Sequence, residues 1–106
     1  MTDNNLAITL SNQGKHAKAE IKHRELLVIK RRVLGPEHPG TLATANNLAS
    51  ALDNQGKHAE AATMYRELVP VVRRVLGPEH PHTLAIAKNL VGTTLRSQPY
   101  EPGQNY

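Results

Sequence analysis

The feature that most constrains this 106-residue chain is an internal repeat with a period of 42 residues. An octapeptide that begins at Leu10 recurs 42 residues later with one change, and the hexapeptide Leu-Gly-Pro-Glu-His-Pro that begins at Leu34 recurs unchanged at the same distance. Over residues 6–40, 22 of 35 positions are identical to the residue 42 positions further on. A third copy begins at Thr83 and matches six of the eight residues that begin at Thr41. Such a period predicts an architecture in which one structural unit recurs and stacks on its neighbours.

Within one repeat the sequence predicts two helices, which we call helix A and helix B. Proline suits the first position of a helix, as at Pro39 and Pro81, because its missing N–H has no partner there. Apolar residues at intervals of three and four over 41–55 predict helix A, and Gly56 ends it. Helix B is predicted over His58–Leu76. Its predicted buried side consists of Ala61, Tyr65, Leu68, Val72 and Val75.

Composition favours an all-α fold built from such pairs. The chain has no Phe or Trp, so its core must be made largely of Leu, Ala and Val, which suits close helix packing. One helix pair cannot bury its apolar face alone, and stacking completes the core. We therefore predict an α-solenoid of five helices over 1–96, with repeats at about 1–38 and 39–80 and a half repeat at 81–96. The tail, 97–106, has two prolines, a glycine and no periodicity, and is predicted to be flexible.

The motif Asn-Leu-Ala-x-x-Leu-x-x-Gln-Gly-Lys-x-x-x-Ala at Asn47–Ala61 resembles the tetratricopeptide repeat. The 42-residue period and the repeated hexapeptide resemble the longer repeats of the kinesin-light-chain type. Two departures from the usual pattern are the histidines after the turn glycines, His16 and His58, and His23 where the second copy has Tyr65. The resemblance implies a non-catalytic protein-interaction module whose A helices line a concave groove.

Asparagines mark the predicted groove. Asn5, Asn47 and Asn89 recur at the repeat period, and the resemblance implies that an asparagine at this place binds the backbone of an extended peptide. A carboxamide both donates and accepts hydrogen bonds, so it can pair with a peptide unit without reading side chains. The alternative is that these amides bond neighbouring helix ends or water. The candidate groove residues are Asn5, Asn46, Asn47, Ser50, Asn54, Lys88, Asn89 and Arg96.

The composition excludes several other function classes. The absence of cysteine excludes disulfides, thiolate metal sites and cysteine nucleophiles. No apolar run approaches the roughly 20 residues that span a bilayer, and the chain has no signal-peptide pattern, phosphate-binding glycine loop or other catalytic motif. We therefore expect a cytoplasmic protein that is not an enzyme and has no cofactor.

Six histidines raise the question of a metal site. His16, Glu20 and His23 would share one helical face, and His80 and His82 flank a proline. Zinc requires three or four converging ligands. Packing positions and the repeated hexapeptide account for most of these histidines, so no metal site is predicted.

The net charge of +4 permits a nucleic-acid ligand without requiring one. Eleven of the thirteen basic residues lie in the turns and B helices, where Arg31-Arg32 and Arg73-Arg74 complement the helix dipole at the C-termini. No aromatic residues alternate with them as stacking platforms. Weak nucleic-acid binding by the outer helices is the third-ranked hypothesis, after peptide binding and self-association.

Self-association is predicted through the fifth helix, whose apolar residues have no following helix B to cover them. The candidate contact residues are Leu84, Ala87, Leu90 and Val91, and the expected assembly is a homodimer. Pro70 is a separate departure from the repeat, because it replaces Val28 of the first copy in the middle of helix B. We expect this proline to bend the helix.

Overall fold

The computed structural model describes residues 15–98, and within that range it contains four α-helices and no strand. They are α1 (His16–Val33), α2 (Pro39–Asn54), α3 (His58–Leu76) and α4 (Pro81–Ser97). The prediction of an all-α chain is confirmed. Helix α1 is helix B of the first repeat, α2 and α3 form the second repeat, and α4 is helix A of the third. The predicted first helix, with Asn5, lies outside the described residues, as does the tail from 99 onward.

Each described helix A begins at the predicted proline, with a histidine as its N-cap. The Nδ1 atom of His38 accepts a hydrogen bond from the backbone N–H of Gly40 at 3.0 Å. His80 accepts from the backbone N–H of His82 at the same distance. The proline was predicted from the sequence, whereas the capping role of the histidine was not.

Successive helices pack against one another, with α2 between α1 and α3 and with α4 on the other side of α3. Leu48, Leu52 and Val72 are buried in the centre of this core. Ala49 of α2 and Ala61 of α3 are fully buried, and their small side chains allow the two helices of the repeat to approach closely.

The predicted buried side of helix B is confirmed except at its end. Ala61, Tyr65, Leu68 and Val72 are buried, but the prediction for Val75 is wrong, since this side chain is 36% exposed. The buried side of the helix instead continues from Val72 to Leu76, four residues further on, and Leu76 packs against the core. Because a helix has 3.6 residues per turn, the next buried residue can lie either three or four positions further on. The position of the neighbouring helix decides between the two.

Helix α3 runs through Pro70 without interruption, and Pro70 is exposed. Its position on the outer side of the helix removes one backbone hydrogen bond without placing the ring in the core.

None of the four helices combines the length and the apolar character needed to cross a membrane.

Candidate peptide-binding groove

A cleft with a volume of about 180 Å³ lies between the two described A helices, α2 and α4. Its base is formed by Val72 and Leu76 of α3. The α2 wall consists of Pro39, Leu42, Ala43, Asn46 and Asn47, and the α4 wall consists of His82, Ala85 and Ile86. The cleft is therefore mainly apolar, with two carboxamides on one wall and an imidazole on the other.

Of the predicted groove residues, Asn46 and Asn47 lie directly in this cleft. Both side chains are half-buried. The Oδ1 atom of Asn46 is buried and has no hydrogen-bond partner. An unsatisfied buried acceptor carries a desolvation cost of about 1–3 kcal/mol, so a donor supplied at the cleft wall would be favourable there.

Ser50 and Asn89 have a different role, because both interact with the hydroxyl of Tyr65 through side-chain hydrogen bonds. Burial raises the pKa of Tyr65 to about 12, with a further contribution from the negative charge of Asp53. The hydroxyl is therefore a neutral group that links α2 and α4 through α3. These two polar side chains thus interact within the fold, with a tyrosine hydroxyl rather than with the helix ends or water that the alternative named.

Arg96 is also held by the fold. Its Nε and Nη2 atoms donate to the two carboxylate oxygens of Asp53 at 3.2 and 2.5 Å, and His58 Nδ1 lies 2.6 Å from Asp53 Oδ1. Burial alone would raise the pKa of Asp53, but the hydrogen bonds from Arg96 and His58 outweigh it and the pKa is lowered. Arg96 thus joins the third repeat to the second and is not a free cation of the groove.

The remaining groove candidates are Asn54 and Lys88, which are exposed and lie outside the lining of the cleft. The sequence analysis missed His82 and Ile86, which do line it. The repeat could have indicated His82, because it follows a helix-starting proline at the position occupied by Gly40 in the preceding copy.

A second cleft, of about 240 Å³, lies between the B helices α1 and α3 and is also bordered by α2. Leu27, Leu42 and Leu68 contribute apolar surface to it. Its charged lining residues are one cation, Arg31, and two carboxylates, Glu37 and Glu67. No residue predicted for the groove lines this cleft.

The outer face of α4 is apolar and exposed. Leu84, Val91 and Leu95 are 56%, 62% and 64% exposed, respectively. Leu90, in contrast, packs against the core, and Ala87 is half-buried. Of the four predicted self-association residues, Leu84 and Val91 are therefore the most accessible, and Leu95 joins them on the same face.

Several basic residues of the outer helices are paired with carboxylates. Arg74 donates two hydrogen bonds to Glu37, at 2.9 and 2.5 Å, and Arg24 bridges Glu20 and Glu60 at 2.7 and 2.8 Å. This pairing reduces the positive charge that these helices offer to a phosphate backbone. Among residues 15–98, no group of three or more histidine or carboxylate side chains is placed to hold a metal ion.

The sequence of residues 1–72 matches the family model of the tetratricopeptide repeat. The chain belongs to the tetratricopeptide repeat family. The matched segment includes α1 and α2 and most of α3, and so contains the helix that forms the asparagine wall of the cleft.

Solved structures place the chain among repeats of the kinesin-light-chain type. A Podosopora anserina protein assigned as a kinesin light chain with nearly identical TPR-like repeats superposes with a TM-score of 0.80 at 27% identity, over 88% of this chain and 44% of that one. A single-substitution variant of that protein gives a TM-score of 0.79 with the same identity and coverage. This chain therefore spans less than half of the length of those structures. Among curated proteins, none matches the chain significantly.

Proposed function

We propose that this chain is a non-catalytic interaction module that binds an extended peptide segment in the cleft between α2 and α4. Tetratricopeptide repeats generally mediate protein–protein interactions, and stacked repeats offer concave surfaces for this purpose. The cleft has the expected chemistry, since apolar residues can receive a side chain while amides pair with a peptide backbone. By analogy with kinesin light chains, we place this function in the cytoplasm.

The observation that carries the proposal is the pair of adjacent carboxamides, Asn46 and Asn47, on one wall of an apolar cleft. The fold uses Asn89 and Ser50 for the Tyr65 hydroxyl, whereas the Asn46 Oδ1 atom has no partner. A rotation of the Asn46 side chain would present this acceptor to a backbone N–H of a bound peptide. The proposal therefore rests on α2 more than on α4.

Selection from a displayed peptide library, followed by titration of the selected peptides, tests this proposal. Replacing Asn46 and Asn47 together with Ala should weaken binding by about 1–3 kcal/mol, or roughly 5- to 150-fold, because peptide hydrogen bonds are lost while the fold is kept. Glu25→Ala, on the exposed side of α1, is the matched control and should leave affinity unchanged. Equal affinity of the double variant and the parent would remove these asparagines from the site.

A second function, self-association through α4, is supported by the exposed face of Leu84, Val91 and Leu95. The α2 residues that match Leu84 and Val91 are Leu42 and Ala49, and both are buried against the rest of the fold. The α4 face thus resembles a helix-packing surface, and a second copy of the chain is the proposed partner.

A further inference from the structure

Both described A helices begin with the same unusual device, a histidine whose ring nitrogen caps the helix. His38 and His80 have nearly identical backbone angles, with φ of −64° and −62° and ψ of 138° and 137°. In each case Nδ1 accepts the backbone N–H two residues later at 3.0 Å. This bond requires a neutral ring with its proton on Nε2, because a protonated imidazole has no acceptor.

The histidine carries the N-terminal cap without help from other side chains. The first turns of α2 and α4 contain no acidic residue, and the first helical positions are Pro39 and Pro81, which have no N–H to satisfy. Protonation of the histidine would remove the only side-chain acceptor at this helix end. It would also place a positive charge at the positive end of the helix dipole.

The charged groups around His38 would do little to offset the positive charge of a protonated ring. Glu37 is adjacent in sequence, but it forms a two-bond ion pair with Arg74 of α3. Lys30 of α1 reaches the first turns of α2, where its Nζ lies 2.9 Å from Thr44 Oγ1. Cations from two neighbouring helices therefore lie on this side of the α2 N-terminus.

Most of the charged or titratable groups near His80 are basic. Its ring meets that of His82 edge to face, with centroids 5.2 Å apart, so a second proton would place two like charges side by side. The last turn of α3, which precedes this segment, contributes Arg73 and Arg74. Glu79 is the one carboxylate beside His80 in the sequence and is exposed.

We propose that His38 and His80 form an acid-sensitive switch, in which protonation of the two rings removes the caps of the A helices. Pro39 and His82, at these two N-termini, line the cleft between α2 and α4. Loss of the caps would therefore loosen the same end of both cleft walls. The switch is tested at about pH 7.5 and 5.5, which lie on either side of the pKa of about 6.5 for histidine in model peptides.

The experiment compares melting temperatures at these two pH values in the full chain. In the parent, acidification should lower the melting temperature by roughly 5–10 °C. Asparagine is a good N-cap that does not titrate, so the double variant His38→Asn/His80→Asn should lose at least half of this decrease while remaining folded at the higher pH. A matched control, His16→Asn, removes an imidazole that is not a cap acceptor and leaves His82 beside His80, so it should retain the decrease.

Two other histidines influence the total, but they are the same in all three proteins and cancel in the comparison. His23 is 2% exposed, and burial lowers its pKa, so His23 also makes the folded chain less stable at acidic pH. His58 contacts the Asp53 carboxylate. The proposal would be overturned if acid lowered the melting temperature of the cap variant as much as that of the parent. It would also be overturned if the control lost as much of this decrease as the cap variant does.

A local measurement keeps the proposal testable if the double variant fails to fold. In the parent chain, the NMR signal of the Gly40 amide should shift with pH, because its acceptor on His38 is lost. Its protection against hydrogen exchange, measured relative to the intrinsic rate at each pH, should also decrease on acidification. The Gly92 amide, inside α4, should show neither change. A Gly40 amide as insensitive to pH as that of Gly92 would overturn the switch at α2.

Discussion

At the scale of single residues, polar side chains join the helices at points where the apolar core ends. Glu20 is the clearest case, because its carboxylate accepts hydrogen bonds from Arg24 at 2.7 Å, from Gln55 at 2.8 Å and from Lys57 at 3.0 Å. The last two donors lie in the turn between α2 and α3. The bonds from Arg24 and Gln55, with that from Lys57, hold the pKa of Glu20 at about 2 against the opposing effect of burial.

The substitution Glu20→Gln should therefore destabilise the chain at neutral pH by about 1 kcal/mol. The expected effect is no larger because Arg24 and Lys57 are exposed, and solvent screens their attraction to the carboxylate. The folded-state pKa is lower than the unfolded one, so this stabilisation is present above about pH 4.5 and is lost as the pH falls towards 2. Urea unfolding at pH 7 and pH 3 measures it. Glu25→Gln, an exposed carboxylate on the same helix, should have little effect at either pH. Equal effects of the two substitutions at pH 7 would contradict this role of Glu20.

At the scale of helices, the sequence predicted the described elements well because their signals are local. The prolines at Pro39 and Pro81 begin helices A, and the observed bounds of α3, His58–Leu76, are the predicted ones. The cap geometry of His38 was not predictable from these signals, since histidine is not among the preferred N-cap residues. Helix α4 begins at Pro81, as predicted.

Pro70 tests how far local preference controls a helix within the stacked fold. An interior proline costs about 3 kcal/mol, yet α3 is continuous because Pro70 lies on its exposed side. Replacing it with Val, the residue at the matching position of α1, should stabilise the chain by about 1–3 kcal/mol and raise the melting temperature. The reciprocal substitution Val28→Pro should destabilise it. A lower melting temperature for Pro70→Val would mean that the packing of α3 requires the proline.

At the scale of the whole molecule, the contacts between repeats were the least predictable part. Asp53 and Arg96 are 43 residues apart, and no local pattern indicates that they meet. The same contact removes Arg96 from the set of predicted groove cations, and the Tyr65 hydroxyl similarly engages Asn89. The resemblance to the tetratricopeptide repeat implied that the A helices form the groove, but three-dimensional contacts decide which of their polar residues are already used by the fold.

Self-association through α4 also belongs to this scale. Burial of Leu84, Val91 and Leu95 in a homodimer would remove exposed apolar side chains from water, at about 1.5–3 kcal/mol for each fully buried side chain. Lys88 is one turn from Leu84 and Val91 on this helix, so two copies that pair through α4 bring like charges close together. Added salt should therefore strengthen the dimer, because it screens this repulsion.

Light scattering from low to high micromolar concentration should show a mass that rises from 11.6 kDa towards that of two chains. Leu90 is a poor probe of the contact, since it packs against the core of its own chain, whereas Val91 is exposed. Val91→Asp should hold the mass at one chain without loss of helicity, because a carboxylate would be buried in the contact. Val28→Asp is the matched control, since Val28 is equally exposed but lies on α1, and this variant should still dimerise. A mass of one chain for the parent at every concentration, or equal dissociation by both substitutions, would exclude the α4 face as the site of assembly.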